Sequence, residues 1–228
     1  MKNTKIEWCD TTLNPVVGCT YGCEFCYAER MNRRFNWIED FRKPQFFPER
    51  IQQLYSNKPK VIFLDSMSDI ADWKHCWRDQ IEWAIMKNPQ HTFLFLTKRP
   101  EKAIEEGLFV IRKNVWNGVS ITKESEISRF NFLPANGNRF ASVEPLHEDM
   151  LLTEKHNMFY RFINWVIIGA ETGNRKGRII PRPEWIIKIA EGCKENDIPV
   201  FMKDSLIPII GARNMLREFP EELRKSIV

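Results

Sequence analysis

Seven short runs recur along this chain, most of them apolar at nearly every position. They are TLNPVV (12–17), VIFLD (61–65), TFLFLT (92–97), VWNGVSI (115–121), RFASVE (139–144), WVIIG (165–169) and PVFMK (199–203). A strand that is apolar at both odd and even positions has both faces covered, as in a parallel sheet packed under helices. The segments between them have helical character. CYAERMNRRF follows a cysteine-rich loop, and HCWRDQIEWAIMKN (75–88) puts Trp77, Ile81, Ala84 and Ile85 on one stripe. Pro100 opens PEKAIEEGLFVIRK where proline suits a first helical turn, and PRPEWIIKIAEGCKEND (181–197) follows the same design. Strand and helix in alternation imply βαβ units and an α/β fold with a mainly parallel sheet. Six or seven such units make either an incomplete barrel or a doubly wound sheet, and the alternation alone does not choose.

In either arrangement the carboxyl ends of the strands converge on one face, where active sites are built. Here they finish at Asp65, Thr97-Lys98-Arg99, Ser120, Glu144, Glu171 and Lys203. The plainer alternative is that these polar residues only mark where strands leave the core.

Half of the six cysteines lie in GCTYGCEFCYAER, residues 18–30. Cys19, Cys23 and Cys26 form C-x3-C-x2-C, and three thiolates on one short loop can hold three corners of a cuboidal iron–sulfur cluster, leaving one iron open. Gly18 and Gly22 suit a loop that needs unusual backbone angles, and Phe25 is placed to shield a cluster or a ligand beside it. Zinc remains an alternative, although a structural site wants four ligands and no second CxxC pair exists. A thiol-redox pair would leave Cys19 without a role. Of the other cysteines, Cys76 and Cys193 read as helix packing residues, and Cys9 is near enough to be an extra ligand.

The bulk numbers narrow the class without naming a function. A chain of 228 residues with 43% hydrophobic and 28% charged residues is long enough to bury its own core without disulfides. A net charge of +4, from 34 basic and 30 acidic residues, does not by itself mark a nucleic-acid binder. MKNTKIEWCD has no apolar signal region, and runs such as WVIIGA are far too short to span a bilayer, so a cytoplasmic location is expected. In a reducing compartment clustered cysteines point to metal or redox chemistry.

The cysteine spacing, with an aromatic before the last cysteine, resembles the signature of the radical S-adenosylmethionine superfamily. KIEWCDTTLNPVVGC, LDSMSD and IIGAETG further resemble the phage Gp37/Gp68-like family. The resemblance implies a single domain over 1–228, built as an incomplete parallel (β/α)6-type barrel with an N-terminal cluster-binding loop. It also implies a 4Fe–4S cluster on Cys19, Cys23 and Cys26 as metal ligands, with S-adenosylmethionine chelated at the open iron. One electron then cleaves the sulfonium, and the resulting 5'-deoxyadenosyl radical takes hydrogen from a substrate.

Carried over position by position, Phe25 corresponds to the aromatic near adenine. Where the superfamily has a Gly-Gly-Glu-like turn for the methionine amino group, this chain has Asp65-Ser66-Met67-Ser68-Asp69. Asp65, Ser66 and Ser68 are the expected binders there, and an ordinary helix cap is the alternative. Lys98 or Arg99 would neutralise the cofactor carboxylate, and Ser120 would touch the ribose. Glu171, in the GAETG turn, would reach ribose or substrate. Glu144, Glu171 and Lys203 are the catalytic candidates, and Asp204 is a further neighbour of substrate. An electron donor such as flavodoxin or ferredoxin is the implied protein partner, and no membrane is involved.

The substrate class rests on basic clusters at Arg33-Arg34, Arg42-Lys43, Lys98-Arg99 and Arg175-Lys176-Gly177-Arg178. Phe35, Trp37, Phe41, Phe46 and Phe47 accompany them. Such mixtures hold phosphates and stack bases, so a nucleotide or nucleic acid is expected, for modification or repair. Solvated surface is the simpler reading of the charges. A non-catalytic metal- or cluster-binding module that recognises nucleic acid or a protein partner is the competing function.

Overall fold

The computed structural model describes residues 4–150 and 157–224. Its strands are β1 (Thr11–Thr12), β2 (Val16–Val17), β3 (Gln45–Phe46), β4 (Val61–Phe63), β5 (Thr92–Thr97), β6 (Val115–Ser120), β7 (Asn138–Val143), β8 (Trp165–Ile168) and β9 (Val200–Met202). Seven of them form one sheet in the order β1-β4-β5-β6-β7-β8-β9, and every neighbouring pair is parallel. A doubly wound sheet would reverse its strand order at a switch point, and this one never does. Successive right-handed crossovers in one direction place all connections on one side, so the sheet curls into a half-barrel. The fold is therefore α/β with a curled parallel sheet, open between β1 and β9.

The two faces of the strands divide by residue parity. Ile62, Phe93, Phe95, Val115, Val119, Ala141, Val143, Val166, Ile168, Val200 and Met202 pack outward into the larger core. They meet Ile81, Ala84 and Ile85 of α2 (His75–Lys87) and Ala103 of α3 (Pro100–Glu105). Phe159 of α4 (Asn157–Phe162) and Ile186, Ile189 and Cys193 of α5 (Pro183–Glu195) complete that layer. The alternate residues, Val61, Phe63, Leu94, Trp116, Phe140, Trp165, Ile167 and Phe201, point into the concave side.

That concave side is filled rather than hollow. Trp8, from the segment before β1, inserts against Phe63, Phe140 and Trp165 with ring centroids 4.8, 6.1 and 6.3 Å away. Phe219 closes the other flank, 5.5 Å from Trp165 and 5.0 Å from Phe201. The open side of the half-barrel is clasped by Glu7, whose carboxylate takes the Arg217 guanidinium at 2.7 Å and the Asp204 N–H at 2.8 Å. Continued toward the carboxyl ends, the same parity turns polar: Asp65 follows Phe63, Lys98 follows Leu96, Ser120 follows Gly118, Glu144 follows Ser142 and Lys203 follows Phe201.

The sequence expectations hold for the later strands and need correction at three places. The run 12–17 is not one strand. Asn14-Pro15 breaks it, because proline lacks a ladder N–H, and Val16–Val17 pairs with β3 in a separate antiparallel ribbon. The helix expected over 100–113 ends at Glu105, since Leu108, Phe109 and Val110 turn inward to the core. Cys76 is exposed and packs nothing, while Cys193 is buried as expected.

The aromatic plug should dominate stability. Trp165→Ala is expected to cost about 3–5 kcal/mol in urea unfolding. A cost near that of an exposed substitution would mean that the concave packing is not what holds the sheet.

Candidate functional site

The cysteine loop is carried from the sheet to its mouth by β2. Gly18 N donates to Met67 O at 2.9 Å, and Cys19 N donates to Phe41 O at 2.8 Å, so the loop starts against the β4 exit. Gly18 has φ +114°, and a Cβ there would stand 2.7 Å from Pro44 Cα, so a side chain is excluded on both counts. A small separate core of Val17, Ala28, Ile38, Phe41 and Met67, with Cys19 and Cys26 packed against it, supports the loop from behind. α1 (Tyr27–Phe35) then leaves the loop, its first turn capped by Cys26, whose Sγ accepts the Glu29 N–H at 3.3 Å.

Three tethers stretch the loop across the strand ends. On the β4–β5 side, Thr20 donates through N and Oγ1 to Asp72, both at 2.8 Å, and Arg99 donates to Asp72 at 2.6 Å. Burial opposes charge on Asp72, yet the hydrogen bonds from Arg99 and Thr20 outweigh it and hold the carboxyl below its ordinary range. Over β6, Arg129 donates to Tyr21 Oη and to the Ser120 carbonyl, each at 2.8 Å. On the β8 side, Glu24 lies 3.8 Å from Arg175.

Beneath the loop the structure gathers several of the expected site residues round Lys98. Its ammonium is 3.3 Å from Ser120 Oγ and 6.0 Å from the centroid of Phe25. It also exerts a favourable field on Cys23 and Asp65. Glu144 pairs with Lys203 across the mouth, and Glu144 packs on Gly169, where a Cβ would come within 3.0 Å of its carboxyl carbon. Lys98, Ser120, Asp65, Phe25 and Cys23 thus form one group, and Glu144 with Lys203 a second one beside it.

Other expected residues are already engaged. Ser66 Oγ donates to Asn14 Oδ1 at 3.0 Å, and Ser68 Oγ accepts the Trp73 indole N–H at 3.0 Å. Arg99 is spent on Asp72, and Asp204 pairs with Arg217 in the clasp, away from the mouth. Glu171 is held by Arg175 through two hydrogen bonds of 2.7 and 2.8 Å, which keep its carboxyl below the ordinary range. Cys9 faces the concave interior and donates weakly to Ile6 O at 3.9 Å, and burial pushes its thiol up to about 12.

One residue that sequence reasoning passed over belongs here. His147 meets Phe25 edge-on at 5.1 Å and stands 3.4 Å from Glu171, so it joins the cysteine loop to the β8 exit. Its position three residues beyond Glu144 at a strand exit was the available signal.

The donor chemistry suits a thiolate-ligated metal group. All three sulfurs are free and partly exposed, and two cations, Lys98 beside Cys23 and Arg99 at 4.0 Å from Cys19 Sγ, stand where thiolate charge would develop. Burial pushes Cys19 up to about 12, with Asp69 adding to it, and burial raises Cys23 as well, so binding must release protons. Among the described residues no three His, Cys, Asp or Glu side chains gather round one point as they would for a single ion. The described surface also has a cavity of about 410 Å³ at the opposite end, lined by Trp116, Asn138, Asn164 and Pro199. It lies at the amino ends of the strands and touches none of these residues. No helix among the described residues is long and apolar enough to cross a membrane.

Asp65 makes the electrostatics testable. Burial raises its carboxyl well above the ordinary 3.8, Asp69 adds to the rise, and the Leu96 N–H at 3.0 Å only partly opposes it. A folded-state value above the unfolded one means that the contribution to stability is complete below about pH 4 and declines as pH rises toward the folded value. Asp65→Asn does not titrate, so its stability relative to the parent should improve between pH 4 and 7, by at most about 1.4 kcal/mol per pH unit. Urea midpoints of the two proteins that run parallel across this range would refute the assignment.

Comparison with known proteins corrects one expectation. No curated protein and no solved structure matches the chain. The family model that matches is one without an assigned function, so membership of the radical S-adenosylmethionine superfamily does not stand. The likeness to the superfamily lies in the cysteine spacing over eight residues and its aromatic, while the turn after β4 reads DSMSD instead of the Gly-Gly-Glu-like sequence. The family model described as "Protein of unknown function (DUF5131)" matches residues 3–206, nearly the whole chain, and the protein belongs to that family.

Proposed function

We propose that this chain is an enzyme that carries a 4Fe–4S cluster on Cys19, Cys23 and Cys26. With S-adenosylmethionine as co-substrate, it would abstract hydrogen from a substrate of the nucleotide or nucleic-acid class. The thiol loop and its surroundings are this chain's own support for a bound cluster, while S-adenosylmethionine and the radical step are what the resemblance of the cysteine spacing implies. What carries it is the position of a three-thiol loop across the polar mouth of a parallel half-barrel, the end at which such folds build active sites.

Cys19, Cys23 and Cys26 would hold the cluster, which when bound would supply the electron for cleavage of a sulfonium. The chain supplies position and charge. Phe25 and His147 cover the mouth and limit water on that side. Lys98 offers a cation to a ligand carboxylate, and Ser120, already within 3.3 Å of it, offers a hydroxyl to a sugar. Asp65, buried with its carboxyl accepting the Leu96 N–H, would offer an ammonium group an oxygen acceptor at the β4 exit. Glu144 and Lys203, ion-paired at the strand exits, would put a proton acceptor and a donor side by side where a substrate proton could be moved. Glu171, fixed by Arg175, orients His147 next to Phe25. Electrons would come from a flavodoxin- or ferredoxin-type donor.

Oxygen-free reconstitution tests the proposal. About four irons and four sulfides per chain are expected. After reduction, S-adenosylmethionine should yield 5'-deoxyadenosine. Cys23→Ala should abolish turnover while leaving the circular dichroism spectrum unchanged, because the side chain packs into no core. Stoichiometric zinc with no cleavage would sink the enzymatic reading and favour the non-catalytic binding module.

A further inference from the structure

We infer that α1 and the loop 173–182 together form a docking surface for single-stranded nucleic acid, leading to the mouth beneath the cysteine loop. The inference rests on the proposed function only for what the docked strand is presented to. The surface is described by its own geometry.

Its first element is an aromatic pair. α1 ends at Asn36, which takes a left-handed conformation with φ 49° and returns its N–H to Asn32 O at 2.7 Å. That turn folds Trp37 back onto Phe35, and the rings stack with centroids 5.3 Å apart and planes 20° from parallel. Both stay in solvent, 50% exposed for Phe35 and 40% for Trp37, and they belong to none of the three cores. The Arg34 guanidinium lies 5.3 Å from the Phe35 ring. A stacked pair left wet beside a guanidinium is a platform on which an unpaired base can continue the stack.

Its second element is charge. Residues 27–43 and 173–182 carry nine Arg or Lys against three Asp or Glu, a net +6, whereas the whole chain is only +4. The rest of the molecule is therefore slightly acidic, and the cationic character is concentrated here. The two segments adjoin, since Arg30 reaches Gly173 to within 3.3 Å of where a Cβ would stand. Arg33 and Arg175 are neutralised by Glu29 and Glu171. Among the described residues Arg30, Arg34, Lys176 and Arg178 have no carboxylate partner within ion-pair distance, which leaves them for phosphates. Position adds the final argument: α1 begins at Cys26, and Arg175 touches Glu24 of the cysteine loop, so a strand on this face runs to the mouth.

Base stacking favours a single strand, because a duplex keeps its base faces covered. The test uses the full chain without added iron and follows the anisotropy of labelled oligo-dT, oligo-dA and a duplex of equal length. Both single strands should bind more tightly than the duplex, with affinity falling as salt rises. Phe35→Ala with Trp37→Ala should weaken single-strand binding about five- to a hundredfold with the salt slope unchanged. Arg34→Ala with Lys176→Ala and Arg178→Ala should flatten the slope instead. Equal affinity for the duplex, an unchanged aromatic variant, or competition by poly-glutamate as effective as by oligo-dT would each overturn the inference, the last in favour of an acidic protein. Protein that binds oligo-dT yet never cleaves S-adenosylmethionine would lose the enzymatic reading and keep the surface. Protein that cleaves it and ignores oligonucleotides would do the reverse.

Discussion

The insertion of Trp8 into the concave side of the sheet is the contact on which the rest of the molecule depends. A sequential parallel sheet with all its helices on one side leaves its other face bare, and a half-barrel has no opposite wall to cover it. This chain fills the space with its own indole and phenyl rings, Trp8 against Phe63, Phe140 and Trp165, with Phe219 closing the flank. Because the rings occupy only the lower part, the upper ends of the same strands are free to carry Asp65, Lys98, Ser120, Glu144 and Lys203. The plug is thus both the core of the sheet and the floor of the candidate site.

Above that floor, placement of the cysteine loop is an electrostatic matter more than a packing one. Asp72 is the centre of the strongest tether, receiving Thr20 and Arg99 together, and Arg129 reaches from the β6 exit to Tyr21. Each contact joins residues far apart in the chain, so the loop is set by the fold and not by its own sequence. The sulfurs remain partly exposed, and burial raises the thiols of Cys19 and Cys23 while Arg99 and Lys98 oppose that rise, so metal binding there is coupled to loss of protons.

Much of the sheet was legible because its strands are covered on both sides. VIFLD, TFLFLT and WVIIG admit no one-sided reading, and their parallel pairing follows. The first strand was misread because Leu13, Val16 and Val17 are all buried, yet they serve different partners on either side of Asn14-Pro15. The Asn14 side chain is itself used, accepting from Ser66 Oγ and Met67 N. The short helix after Pro100 was over-extended because Leu108–Val110 continue its apolar content, although they reach the larger core outside any helix. The 3-10 segment Glu124–Phe132 has no strong periodicity and gave no signal, and with it went Arg129. At the site, the cysteine spacing and the polar strand ends were readable. Which of those ends are engaged elsewhere, as Ser66, Ser68 and Glu171 are, depends on contacts that only the folded chain reveals, and His147 enters through the same kind of contact.

The Glu7–Arg217 clasp has a consequence for how the molecule is made. It closes a span of 210 residues, and the ring of Phe219 seals the same flank. Contacts so distant along a chain form late and slowly, after most of the loop-closing entropy has been overcome. During synthesis Trp8 is available early to cover Phe63 and Phe140, whereas the flank of Trp165 and Phe201 stays open until the segment bearing Arg217 and Phe219 emerges.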